Sequence, residues 1–251
     1  MNRGIGSVVR GVMPTPLYRW VSVMLRGVET PPPVGRVGFG NLRRLTPISR
    51  VFGFDRGTPI DRYYIENFLA CNAADIRGAV LEVGDNAYTR RFGGNRVTQS
   101  DVLHVSDENP RATIISDLAN GENIPSNTFD CIILTQTLQL IYDVPAALVT
   151  LRRILKPGGV LLATIPGISQ IDHGEWGESW YWSFTLLSAR RLFEEAFTSN
   201  PLRIDSYGNV LAATAFLQGI ALEELSEDEL NHNDPDYQVT ITVRAVKEAR
   251  D

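Results

Sequence analysis

From residue 79 to residue 246, short apolar runs alternate with segments of helical periodicity, and that alternation leaves the chain few folds to choose from. Apolar runs at 79–83, 96–105, 112–116, 129–135, 160–165, 203–207 and 239–246 read as strands. Between them, Ala147, Leu148, Leu151, Ile154 and Leu155 share one helical face within 145–155, and a second helix is expected over 187–197. Near-continuous apolar strands separated by helices build a mostly parallel sheet with both faces covered. The expected fold class is therefore α/β, with one seven-stranded sheet. In such sheets a ligand sits beyond the carboxyl ends of the strands, where strand order switches.

Upstream the pattern changes. Thr58 is suited to cap a helix and Pro59 to occupy its first position, and that helix carries Ile60, Tyr63, Tyr64, Phe68 and Leu69. Residues 34–58 are rich in Gly and Arg and read as irregular, and Pro31, Pro32 and Pro33 form a stiff linker. Before it, Leu17, Trp20, Val21, Met24, Leu25 and Val28 recur at helical spacing, giving an amphipathic helix. The expected organisation is a basic extension over 1–62 and a catalytic-type α/β domain over 63–251.

Charge divides the same way. Residues 1–62 hold ten Arg against Glu29, Asp55 and Asp61, a net +7, whereas the rest carries 14 basic and 26 acidic groups, a net −12. Three uses of the basic segment stay open: docking on the acidic body or on a second copy, an anionic membrane surface, or an anionic substrate. Docking or homodimerisation is favoured over a peripheral membrane contact through 1–62. Nucleic acid is disfavoured, because basic residues are scarce in the main domain. No run approaches the length of a membrane span, and Arg3, Arg10, Pro14 and Pro16 interrupt any leader-like stretch. Cys71 and Cys131 have no zinc spacing, so no metal site is expected, and Cys131 reads as a small core residue. The cytoplasm is the expected location.

The chemistry begins at the first strand, Val80-Leu81-Glu82-Val83-Gly84-Asp85-Asn86-Ala87. A glycine just past a strand lets backbone approach a ligand closely. The dinucleotide pattern G-x-G-x-x-G is missing, which argues against a nicotinamide-dependent oxidoreductase. Asp101, read as the acid near the end of the second strand, can accept both hydroxyls of an adenosine ribose. Asp117 follows the third strand, where a carboxylate can receive an adenine amino group while the backbone beside it reads a ring nitrogen. Then come Ile124-Pro125-Ser126-Asn127-Thr128-Phe129-Asp130, Thr135-Gln136-Thr137 after the fourth strand, and Leu155-Lys156-Pro157-Gly158-Gly159 before the fifth. Asp130 itself reads as structural.

This ordered set resembles the class I S-adenosylmethionine-dependent methyltransferases, in particular their type 11 bacterial branch, over about residues 63–251. The stretch 85–94 is similar to a subgroup often found beside glycan-modifying enzymes. The resemblance implies a Rossmann-like class I methyltransferase fold, a helical N-terminal extension, and S-adenosyl-L-methionine as cofactor. It also implies roles. Gly84, with Asp85 and Asn86, would lie against the methionine part, and Glu82 would orient its ammonium. Asp101 would hold the ribose, Asp117 and Leu118 would frame the adenine, and Thr135 and Gln136 would line the methionine side. Glu82 has an alternative use, satisfying the backbone of its own turn. One departure is plain: Asp85, Asn86 and Ala87 stand where the family turn carries further glycines.

Methyl transfer from a sulfonium is an in-line displacement, so positioning supplies most of the acceleration. A hydroxyl acceptor also needs a base, worth about 10²- to 10⁴-fold. His173, after the fifth strand, is the candidate base, with Asp172 to orient it; an uninvolved loop histidine is the equal alternative. His104 and His232 read as structural. Next comes a dense run of aromatics and acids, Glu175-Trp176-Gly177-Glu178-Ser179-Trp180-Tyr181-Trp182. Aromatic faces beside carboxylates suit sugar rings, so Glu178, Trp180 and Tyr181 are the candidate acceptor-binding residues, with hydrophobic packing as the competing use. The expected activity is O-methylation of a carbohydrate or other small hydroxylated acceptor. N- or C-methylation, or cofactor binding without catalysis as a partner protein, are the alternatives.

Overall fold

The computed structural model describes residues 32–174, 176–197 and 202–248. The expected amphipathic helix around residues 17–28 lies outside them. The chain divides into two units, 1–45 and 46–251. In the described part of the first, Gly40–Leu42 forms a single 3-10 turn and the Arg43 guanidinium lies over the Phe39 ring at 5.2 Å.

The second unit is built on seven strands: β1 Gly78–Val83, β2 Val97–His104, β3 Ile114–Ile115, β4 Phe129–Thr135, β5 Leu155–Pro166, β6 Leu202–Tyr207 and β7 Thr240–Val246. They form one sheet in the order β3-β2-β1-β4-β5-β7-β6. Only β7 runs antiparallel to its neighbours. This is the Rossmann-like class I methyltransferase fold, and its order reverses between β1 and β4.

Period-two alternation sends Leu81, Ile132, Leu134, Leu161 and Ala163 to one face and Val80, Cys131, Ile133, Val160 and Leu162 to the other. Helices cover both faces: α1 Ile60–Cys71, α2 Val144–Ile154, α3 Leu186–Ala196, α4 Val210–Gln218 and the short α5 Glu227–Asn231. Helix α2 buries Ala147, Leu148, Leu151 and Ile154 against the first face, each large side chain worth about 1.5–3 kcal/mol. Asp143 caps it by accepting from Ala146 N at 3.0 Å. Helix α1 places Ile65, Phe68 and Leu69 on the second face. Cys131 is fully buried, and burial pushes its thiol pKa up.

Three local readings change. Pro59 stands at the N-cap of α1, and the Thr58 hydroxyl instead donates to Glu223 Oε1 at 2.7 Å. Strand β3 is only two residues long. Strand β5 begins at Leu155, because Leu155 pairs with Phe129 and Gly158 N donates to Lys247 O at 2.8 Å, so the Gly-Gly segment belongs to the sheet. Asp130 is structural as expected: Oδ2 accepts from Ala79 N at 2.8 Å and from Lys156 Nζ at 2.7 Å. Among the described residues, no helix is long and apolar enough to cross a membrane.

Candidate active site

The tips of β1 and β4 lie side by side at the reversal of strand order. Gly84, just past β1, has φ +89°, a conformation that L side chains rarely adopt. A Cβ built there would meet no atom within 4 Å, so the backbone faces open space. Gly84 N donates to Leu103 O at 3.0 Å, and Gly84 O accepts from Asn109 Nδ2 at 2.6 Å. Asp85, Asn86 and Ala87 keep negative φ. Asp85 Oδ1 accepts from Ala87 N at 2.8 Å, and Asn86 Nδ2 donates to Ser100 Oγ at 3.2 Å on β2 while its Oδ1 accepts from Arg90. Only the first position of this turn needs glycine; the next two hold the chain with their own side chains.

Glu82 is 2 % exposed. Its Oε1 accepts from Tyr88 N at 3.2 Å, and its Oε2 from Thr89 N and Thr89 Oγ1, both at 2.7 Å. These are the bonds of a residue that ties the following turn to β1. Burial pushes its pKa up to about 7, against the lowering effect of those bonds.

Asp101 lies in the body of β2, opposite Leu81, three residues before the strand ends. The buried Val102 and Leu103 carry the pairing on past it. Its Oδ1 accepts from Thr113 Oγ1 at 2.8 Å and its Oδ2 from Gln99 Nε2 at 2.6 Å. The expectation that it stands at the strand's carboxyl end is therefore corrected; that end is His104, and the acid beyond it is the exposed Asp107. Asp117 is exposed beyond β3 and caps the turn Leu118–Asn120 by accepting from Ala119 N at 2.9 Å. The Leu118 side chain is buried in the core beneath the sheet's first face, so only its backbone is available at the cleft.

Thr135 ends β4, half-buried, with Thr164 opposite. Gln136 has φ +47°, one of three non-glycine residues in the left-handed region among those described. Its N donates to Thr164 O at 2.8 Å and its O accepts from Gln139 Nε2 at 2.7 Å. A strained residue at the tip of a central strand is a frequent mark of a functional site.

Beyond β5 the expected dyad does not form. Asp172 Oδ1 accepts from Gly174 N at 2.8 Å, closing a local turn instead of orienting the exposed His173. Trp180 stacks on Phe52 at 6.3 Å, and Phe52 leans on Phe216 at 5.9 Å. Glu178 is exposed. Tyr181 and Trp182 are both held by their backbone N–H groups, which donate to Gln139 O at 2.9 and 3.3 Å, and Trp182 also by its indole, whose Nε1 donates to Ile141 O at 3.0 Å. The Tyr142 ring completes an exposed cluster, edge-on to Tyr181 at 5.4 Å and stacked with Trp182 at 5.8 Å.

Several residues escaped sequence reasoning. Arg62, assigned there to the extension, donates to Tyr88 Oη at 3.3 Å and lies 5.6 Å from the Phe54 ring centroid. Asp61 beside it is buried, which raises its pKa, while Arg62 pulls it back down. Asn109, Gln139 and Tyr142 were missed because nothing local marks them; each acts through a contact distant in sequence. No group of three or more metal-ligating side chains occurs among the described residues.

The strand order and open Gly84 tip define a class I methyltransferase scaffold. The sequence profile of the family described as "Methyltransferase domain" matches residues 38–196. The chain belongs to that family; it is an S-adenosylmethionine-dependent methyltransferase. Among solved structures, a SAM-dependent methyltransferase from Archaeoglobus fulgidus is similar at 11% identity and TM-score 0.50, over 74% of this chain and 94% of that one. The [4+2]-cyclase SpnF is similar at 15% identity and TM-score 0.50, over 77% and 83%. A protein from Bordetella parapertussis described as a possible exported protein is similar at 14% identity and TM-score 0.50, over 92% and 79%. These likenesses concern the fold alone. No curated protein matches the chain.

Proposed function

We propose that this methyltransferase O-methylates a carbohydrate or other small hydroxylated acceptor. The observation that carries the reading is the exposed aromatic cluster of Tyr142, Tyr181 and Trp182, tethered through Gln139 to the tip of β4. Sugar rings stack their C–H faces on such aromatics. The similarity of residues 85–94 to a glycan-associated subgroup supports the same acceptor class.

S-adenosylmethionine, when bound, supplies an electrophilic methyl group on a cationic sulfur. The open backbone at Gly84, a place that a Cβ would fill, fits close approach of such a ligand. In our reading Gly84, Asp85 and Asn86 hold the methionine part from the β1 side, and Thr135 and Gln136 from the β4 side. Glu82 acts through the Tyr88–Thr89 turn that it fixes. Asp117 and the backbone of Leu118 read the adenine. The ribose role assigned from sequence to Asp101 passes to Asp107, because the tip of β2 carries Asp107 and the Asp101 carboxylate is engaged by Gln99 and Thr113. Tyr181 and Trp182 orient the acceptor with Glu178 at the rim, while Trp180 braces the segment on Phe52. His173 takes the hydroxyl proton as the acceptor attacks.

A second reading, N-methylation of a small amine, is favoured by one observation: Asp172 Oδ1 accepts from Gly174 N in place of orienting the His173 imidazole. Incubation with methyl-labelled cofactor against sugars, glycolipids, phenols and amines separates them. Label on a hydroxylated acceptor, with kcat lowered in His173→Ala, supports the first. Label only on amines, unchanged in His173→Ala, overturns it.

A further inference from the structure

On the free edge of the sheet, away from the β1 and β4 tips, a cavity of about 270 Å³ lies between α1 and the edge strand β6. Strands β5 and β7 separate it from β4 in the sheet order. Its walls are aromatic. Tyr64 and Tyr207 stack at 6.0 Å with 19° between planes, and Tyr63 stands edge-on to Tyr64 at 5.5 Å. Tyr63 and Tyr64 are fixed by their hydroxyls, which donate to Asn231 Oδ1 at 2.8 Å and Leu230 O at 3.1 Å. Tyr64 is buried behind the half-buried Tyr63 and Tyr207, whose partly exposed rings border the cavity.

The polar lining is amide. Asn72 spends its Nδ2 on Phe68 O and keeps Oδ1 open, and Asn231 spends its Oδ1 on Tyr63 and keeps Nδ2 open. The side chain of the exposed Asn67 makes no hydrogen bond among the described residues. The lining therefore offers both donors and acceptors that the fold does not use. Its one charge is neutralised: Arg203 Nε donates to Asp205 Oδ2 at 2.6 Å. Among the described residues no carboxylate lines the cavity. Aromatic walls, unused amides and no unpaired charge select an uncharged ring carrying several hydroxyls over an anion or a cation. The volume, just below the usual range for drug-sized ligands, admits about one such ring.

We propose that this edge cavity is a non-catalytic carbohydrate-binding site holding one neutral pyranose unit, separate from the methyl-transfer cleft. The inference does not rest on the identity of the acceptor. The experiment is saturation-transfer NMR and titration of the full chain, saturated with S-adenosylhomocysteine, using methyl β-D-glucopyranoside, methyl β-D-galactopyranoside and N-acetylglucosamine as probes, with uracil as a non-sugar ring. At least one sugar binds saturably, and Tyr63→Ala and Asn67→Ala each weaken it about tenfold or more. S-adenosylhomocysteine affinity is unchanged in both variants, which shows that they fold. Tyr181→Ala leaves the sugar affinity at this site unaltered. Failure of all three sugars, or binding of uracil alone, overturns the proposal. Sugar binding that survives Tyr63→Ala and Asn67→Ala but is lost in Tyr181→Ala also overturns it, and assigns the sugar to the acceptor cleft.

Discussion

Replacing Glu82 with Gln should remove a loss of stability that the native protein suffers as pH rises. The folded Glu82 carboxyl keeps its proton to about pH 7, whereas the ordinary value is 4.5. Between those values the folded state binds more protons than the unfolded one. The stability this group contributes is therefore full below pH 4.5 and is lost as pH rises through 7. A gap of about 2.5 pH units at about 1.36 kcal/mol each gives about 3 kcal/mol. Glutamine keeps an oxygen for Thr89 N and Thr89 Oγ1 and has no charge to bury, so its own cost is a constant offset. Urea unfolding followed by circular dichroism, for both proteins from pH 4.5 to pH 8, isolates the difference. Relative to Glu82→Gln, the native protein should lose about 2 kcal/mol by pH 6 and about 3 kcal/mol by pH 8. A difference that stays flat across this range would refute the claim that burial dominates the environment of Glu82.

Three further outcomes are expected. Gly84→Ala forces a side chain into φ +89°, costing about 1–2 kcal/mol; the fold survives because the space is open, while calorimetry should show weaker S-adenosylhomocysteine binding, and unaltered affinity would put the cofactor elsewhere. Asp107→Ala should weaken S-adenosylhomocysteine about tenfold or more, as loss of a charged hydrogen-bond acceptor does, whereas Asp101→Ala should alter stability and leave affinity nearly intact; the reverse pattern would return the ribose role to Asp101. Trp180→Ala removes the stack on Phe52, worth about 0.5–1.5 kcal/mol of stability; steady-state kinetics should show the acceptor KM raised more than the cofactor KM, and an effect confined to the cofactor would reject a role beside the acceptor.

The sheet was legible because its central strands are buried on both faces, so Val80 and Leu81 or Ile132 and Ile133 give unbroken apolar runs whichever face each serves. Strand β3 was overdrawn because two residues suffice to pair with Leu103 and His104. The site was legible where it depends on local geometry: Gly84 at a strand end, Gln136 at another. It was misread where side chains at a distance decide. Nothing near Asp101 announces that Gln99 and Thr113 engage its carboxylate, nor that β2 continues to His104. Asp172 beside His173 suggested a dyad, but a carboxylate two residues before a free backbone N–H closes its own turn first. The Trp180–Phe52 stack joins segments 128 positions apart, and no periodicity in either segment encodes it.

The aromatic segment is attached in two ways: the N–H groups of residues 181 and 182 both reach the carbonyl of Gln139, and the Trp182 indole Nε1 donates to Ile141 O at 3.0 Å. The bonds to Gln139 are indifferent to which rings the two positions carry, whereas the bond to Ile141 needs the indole. The side chain of residue 181 can therefore be exchanged while the main-chain bonds to Gln139 stay in place. In our reading of Tyr181 as an acceptor contact, exchange at that one position would retune what is accepted while the strand tips assigned to the methyl donor stay untouched.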